Sequence, residues 1–201
     1  VTALRRATRL RGVQSFASAC IRNIGGLPWL SFAEEIQENK VIRMATPEDA
    51  SSIAKIYNHY VLNTAISFET DAVCEADMAA RIREVAGVGL PWLVAEREGV
   101  VLGYAYASKW KGRCAYRFSV EASVYVDAAH TRQGIGVELY DALLAQLRCG
   151  DTHVVIGGIA LPNEGSVALH ERFGFRKVAH FSEVGFKFER WIDVGYWQVT
   201  L

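Results

Sequence analysis

Between the apolar run Ser123–Val126 and a helix-periodic stretch lies Thr131-Arg132-Gln133-Gly134-Ile135-Gly136. This strand, glycine loop and helix constrain the fold more than any other segment. Ile135, Leu139, Leu143 and Leu147 recur at helical spacing, which starts a helix near Gly134. Two glycines two positions apart let backbone N–H groups approach an anion with no Cβ in the way. The helix N-terminus adds unsatisfied donors and a positive dipole end, and Arg132 adds a full charge. That chemistry suits a phosphate or diphosphate, although the same segment also serves as a plain glycine-rich helix cap. A dinucleotide fingerprint is excluded. It needs a third glycine where Leu139 stands, and an acid about twenty residues on, where Val155, Ile156 and Gly157 stand. No GxxxxGK[ST] phosphate loop occurs.

Around this unit the pattern predicts one α/β domain from residue 40 onward, with a mostly antiparallel mixed sheet flanked by helices. A strand over 41–45 precedes Thr46-Pro47-Glu48-Asp49, a strong helix start with Thr at the cap, Pro next and acids in the first turn. Ile53, Ile56, Tyr57, Tyr60 and Val61 follow at helical spacing, and a second helix fits 75–86. Residues 91–97 and 100–110 read as strands joined at Glu98-Gly99, and 116–126 as a third. After the glycine-loop helix come a buried strand over 153–161, a short helix from Asn163 to about Arg172, and strands over 175–188 and 191–200.

The longest apolar stretch, Val154 to Leu161, is far short of the ~18 residues a membrane helix needs. At 51% apolar and 22% charged, the 201-residue chain is no disordered segment. Net charge is zero, which argues against a general nucleic-acid binder. The balance hides an asymmetry. Arg5, Arg6, Arg9, Arg11 and Arg22 lie in residues 1–33, where no acid occurs; the other 17 of the 22 Lys and Arg face all 22 acids. Residues 1–39 read as an Arg-rich leader, either disordered or mis-assigned sequence or an organelle-targeting segment. Cys20, Cys74, Cys114 and Cys149 form no CxxC pair, so no metal site is expected. They read as reduced, mostly buried thiols of a cytoplasmic protein, with organelle targeting as the alternative.

The blocks VYVDAAHTRQGIGVELYDALL and NEGSVALHERFGFRKV resemble the GNAT superfamily of acyl-CoA-dependent N-acetyltransferases. The superfamily loop is [RQ]-x-x-G-x-[GA]. Gly134 and Gly136 match it, whereas Thr131 stands at the first position and the arginine one place later. NHYVLNTAISFET, PWLVAE, GYAYASKWKGRCAYRFSVEASVYV, IALPNEGSVALHERFGF, GFK and WIDVGYWQ are similar to one branch, the phosphinothricin/methionine-sulfone N-acetyltransferases. They run in order from Tyr57 to Gln198 and leave only the leader uncovered.

The resemblance implies acetyl-CoA as co-substrate and a small amino-acid-like amine as acceptor. It places the diphosphate on the amides of Arg132, Gln133, Gly134, Ile135, Gly136 and Val137, and the pantetheine arm along Val124, Tyr125 and Val126 as an added strand. Asn163 matches the pantetheine-contacting asparagine; a plain helix cap is its other use. Glu121 matches the branch's catalytic glutamate, which relieves the attacking ammonium of its proton. A solvent-facing strand glutamate paired with Arg117 is the bland alternative. His170 stands where most of the superfamily has a Tyr that protonates the leaving thiolate, and where this branch has His; packing beside Leu169 and Phe173 is its alternative. Lys111, Arg113 and Tyr116 match the KxRxxY acceptor segment, suited to a carboxylate, with a solvated hairpin loop as the other reading of the Lys/Arg pair, and Phe68 is expected to wall the acceptor pocket. Trp191, Tyr196 and Trp197 read as core, with pocket lining or a dimer contact as the alternative. A homodimer is implied, with neither nucleic acid nor membrane as partner.

Other functions stay open on sequence alone. The same chemistry on a polyamine, an aminoglycoside or a protein N-terminus is one. A CoA-binding regulatory module without turnover is another. An acetyl-cysteine route through Cys114 is a minor third.

Overall fold

The computed structural model describes residues 40–201. The leader, Cys20 and the targeting expectation lie outside them. Strand β1 (Lys40–Met44) leads into a 3-10 turn over Pro47–Asp49 and helix α1 (Ala50–Asn63). The turn is a capping box: the Asp49 carboxylate accepts from Thr46 N at 2.8 Å. Helix α2 (Glu75–Gly87) begins at Cys74, whose Sγ accepts from Asp77 N.

Next come β2 (Trp92–Arg97), β3 (Val100–Lys109) and β4 (Ser119–Val126). Helix α3 (Ile135–Arg148), β5 (Val154–Ala160) and α4 (Glu164–Arg172) follow, and β6 (Arg176–Lys187) and β7 (Arg190–Thr200) end the fold. The element order is the one the sequence implies. Two expectations are corrected. The strand expected over 116–126 starts at Ser119, because Cys114–Tyr116 close a 3-10 turn through Tyr116 N→Arg113 O and Arg117 N→Cys114 O. Those bonds satisfy locally the backbone groups a ladder would need. The cysteines expected to be buried are exposed at positions 74, 114 and 149, because each lies at a helix end or turn.

The seven strands lie in the order β1-β2-β3-β4-β5-β7-β6. Every neighbouring pair is antiparallel except β4 and β5. Strand alternation sends Trp92, Val94 and Tyr104 to one face, where they pack against Ile53, Ile56, Val61 and Ile82 of α1 and α2. Leu93, Ala95, Ala105, Val120 and Ala122 face the other way, onto Leu139, Tyr140, Leu143 and Leu147 of α3.

The parallel pair is short. β4 meets β5 only at Ser119, Val120 and Glu121, opposite Val154, Val155 and Ile156. β5 then continues with β7 alone, as far as Ala160 opposite Val194. From Ala122 to Val126 the two strands have parted, so that edge of β4 has no strand beside it among the described residues.

Candidate active site

The parting of β4 from β5 opens onto the glycine loop. Asp127 Oδ1 accepts from Ala129 N at 2.8 Å and starts the 3-10 turn Ala128–His130. The chain then passes through two left-handed residues, Arg132 (φ 63°) and Gly134 (φ 81°). Gly134 is the cap of α3, and its φ is one that only glycine adopts at low cost. This geometry turns the first amides of α3 toward a cleft of about 450 Å³. Val124, Tyr125 and Val126 form one wall, Arg132 and Gly134–Val137 the floor, and Asn163, Ser166 and Leu169 of α4 the other wall. Tyr60 and Ile66 close one end. Gln133 is exposed on the loop and does not line the cleft. A Cβ at Gly136 would point between Val126 and Leu169, at 3.6 and 3.8 Å, narrowing the cleft where its walls meet the loop. The residues therefore fit an extended ligand with an anionic group at the helix end and an arm beside the free strand edge.

Asn163 caps α4, its Oδ1 accepting from Ser166 N at 3.1 Å. It also lines the cleft, so the cap leaves it within reach of a ligand there.

Glu121 is half-buried on the α1/α2 face of the sheet, opposite Ser108 on β3 and Ile156 on β5. Burial raises its pKa, and the Lys111 ammonium pulls it partly back. Lys111 lies over the Trp110 ring, 4.7 Å from the centroid, and Trp110 meets Tyr196 edge-on. Lys111, Trp110, Ile156 and Tyr196 line a second cleft of about 450 Å³ with Phe181 and Val184 of β6. Arg113 and Tyr116 are exposed on the β3–β4 loop and line neither cleft.

Phe68 is 41% exposed and lies against β6: a Cβ at Gly185 would come within 2.2 Å of its ring. The loop that carries it is fixed from below. Lys187 is buried and donates to the carbonyls of Val61 and Ser67, both at 2.6 Å, while Tyr57 and Ser67 share a hydroxyl bond of 2.8 Å. Burial pushes the Lys187 ammonium pKa down, against the opposing pull of Glu69. Of the tryptophans read as core, Trp197 is buried, whereas Trp191 is 61% exposed; its outward place on β7 corrects that reading.

His170 is 3% exposed. Its Nδ1 lies 2.7 Å from the Ser166 carbonyl and therefore donates to it, which leaves Nε2 as the lone-pair nitrogen. Nε2 is buried without a partner among the described residues and faces Gly157. Tyr140 and Phe175 pack on the ring, and burial lowers its pKa. Glu121 and His170 thus do not meet. They stand on opposite faces of the sheet, either side of Gly157-Gly158 on β5. Sequence reasoning passed over those glycines, Gly185 and Lys187. Gly185 and Lys187 fall within the block GFK, but their partners, like those of Gly157 and Gly158, lie elsewhere in the chain, so the block alone does not show what they touch.

The model of the acetyltransferase (GNAT) domain family matches residues 42–195, and the chain belongs to that family. Phosphinothricin N-acetyltransferase of Streptomyces viridochromogenes is 40% identical over 157 residues, covering 78% of this chain and 85% of that protein. The L-methionine sulfoximine/L-methionine sulfone acetyltransferase of Salmonella typhimurium is 38% identical over 160 residues, covering 80% and 94%. Among solved structures, a GNAT phosphinothricin acetyltransferase of Sinorhizobium meliloti in complex with acetyl-CoA is similar with a TM-score of 0.78. That protein is 37% identical, over 81% of this chain and 88% of its own.

Proposed function

We propose that the chain transfers acetyl from acetyl-CoA to the α-amine of a small amino-acid-like acceptor of the phosphinothricin and methionine-sulfone class. One observation carries this reading. Strands β4 and β5 separate beside a glycine loop at a helix N-terminus, and a half-buried carboxylate sits at the last paired position, Glu121.

Acetyl-CoA supplies the acetyl group already activated as a thioester. The amides of Arg132 to Val137 hold its diphosphate, with Gln133 contributing through its backbone N–H. Val124, Tyr125 and Val126 align the pantetheine, with Asn163 across the cleft. An amino-acid amine is mostly protonated at neutral pH and cannot attack until a base removes the proton. Glu121 takes that proton, directly or through one water. The raised pKa that burial gives its carboxyl brings it closer to neutrality and makes it the better acceptor. As the C–N bond forms and the thioester C–S bond breaks, the amine's second proton passes to the departing CoA thiolate, with His170, whose Nε2 is free to accept, as its relay. Lys111 holds the acceptor carboxylate, and Phe68 walls the pocket.

The working form is a homodimer, for which the exposed Phe186 and Trp191, packed on each other, supply an apolar surface. Three exposed free thiols suit a reducing, cytoplasmic setting.

The test is acetyl-CoA-dependent thiol release with phosphinothricin, methionine sulfone, spermidine and an aminoglycoside as separate acceptors. Turnover on the first two, with kcat lowered at least ~100-fold in Glu121→Gln, is the expected result. Turnover on the polycations alone overturns the acceptor class.

A further inference from the structure

We infer that Gly157 and Gly158 are positioning residues for the acetyl transfer, each leaving the space in which one of the two proton-transfer side chains is held. The inference rests on the roles given above to Glu121 and His170.

Neither glycine has the left-handed backbone that would demand glycine for its conformation. A glycine inside a strand lowers stability, since it adds backbone freedom and removes a side chain to pack. Two in succession therefore need another reason, and their surroundings supply it. A Cβ on Gly157 would fall 2.2 Å from His170 Nε2 and 2.5 Å from Cδ2, inside the imidazole. A Cβ on Gly158 would fall 3.0 Å from Glu121 Oε1 and 3.2 Å from the Tyr196 ring. Because successive residues of a strand point to opposite faces, the pair serves both faces at one level. Gly157 is buried beneath His170, whereas Gly158 is open on the Glu121 side. That level is just beyond Ile156, the last residue of β5 that pairs with β4. The glycines set both side chains against the strand where the cleft begins. Gly87, by contrast, has nothing among the described residues within 4 Å of its Cβ position and serves as the control.

The experiment uses the full chain with Gly158→Ala, Gly157→Ala, His170→Ala, the double variant Gly157→Ala/His170→Ala, Gly87→Ala and Glu121→Gln. Gly158→Ala is expected to lower kcat by roughly tenfold to a hundredfold, the penalty for misplacing a catalytic group by a fraction of an ångström to one ångström. The KM for acetyl-CoA stays within about twofold, and the acid limb of the kcat–pH profile shifts, which a merely structural role would not produce. Gly157→Ala lowers the melting temperature in the wild-type background and has little effect on it in the His170→Ala background, a double-mutant coupling that measures the shared space. The same substitution also shifts the kcat–pH profile of the wild type but not that of His170→Ala, which a merely structural role would not produce.

A wild-type kcat and pH profile for Gly158→Ala overturn the Gly158 half. An equal melting penalty for Gly157→Ala with and without the imidazole overturns the other. Full turnover by Glu121→Gln instead sinks the base assignment, and the melting comparison remains readable without any activity.

Discussion

Lys111 couples the acceptor cleft to the base. Burial and this ammonium act on the Glu121 carboxyl in opposite directions, burial the more strongly. Removing the cation leaves burial unopposed, so Lys111→Met moves the acid limb of kcat/KM to higher pH. The loss of rate is then larger at pH 6 than at pH 9, as a pH-rate series on both proteins will record. The KM for the acceptor rises in the same variant if Lys111 also holds the acceptor carboxylate. At this scale the sequence is informative where a residue stands in a motif block: Glu121, Lys111, Asn163 and the loop glycines all fall at the clefts or between them. It is silent where a residue matters for what it lacks. Gly157 and Gly158 make room for side chains on β4 and α4, and a need set by spatial neighbours leaves no trace in local spacing. Arg113 and Tyr116 show the opposite case, since they fit the KxRxxY pattern yet stand outside both clefts.

Among the elements, the N-terminal turn and the loop after α1 hold the fold's most connected polar groups. Arg43 on β1 makes two bonds to Asp49, at 2.8 and 2.7 Å, and reaches Glu96 on β2 at 2.6 Å. Asp49 closes the capping box with the same carboxylate. The Arg43 guanidinium holds the Asp49 carboxyl below the usual carboxylate range, with the Thr46 amide adding to the effect and burial opposing it. A depressed pKa stabilises the fold above the unfolded value of about 4, and that contribution is lost as pH falls through the lower, folded value. Asp49→Asn therefore costs about 1 kcal/mol at pH 7, and the deficit closes in strong acid. Urea titrations at two pH values check it. Lys187→Met leaves the carbonyls of Val61 and Ser67 without their shared donor and costs about 1–3 kcal/mol. Because the freed loop carries Phe68, the acceptor KM rises as well, which steady-state kinetics with varied acceptor will show. The elements themselves were legible from caps and periodicity: Thr46-Pro47, Gly134 and Asn163 each open a helix or turn where expected. The start of β4 was not, because the apolar and aromatic residues near 116 resemble strand while their backbone bonds close a turn.

Taken whole, the sheet is closed on neither flank of its chemistry. Phe186 and Trp191 are cross-strand partners on the β6–β7 ribbon, 56% and 61% exposed. Trp191→Glu is expected to convert the proposed homodimer to monomer in sedimentation while the far-ultraviolet dichroism stays that of the parent. The sequence leaves Trp191 between core packing and a dimer contact, because aromatic residues in a strand look alike whether they meet their own core or a second copy. The parted strands have a consequence of another kind. A ligand lying along Val124–Val126 completes a ladder that the chain leaves unfinished, so the donor substrate stabilises the folded state like an additional strand. By mass action, donor at a hundred times its dissociation constant stabilises the fold by about 2.7 kcal/mol. Amide hydrogens of β4 then exchange more slowly with solvent as the donor rises. In a cell, the survival of this protein would track the supply of activated acetyl groups, so that starvation for the donor lowers the amount of enzyme as well as its rate.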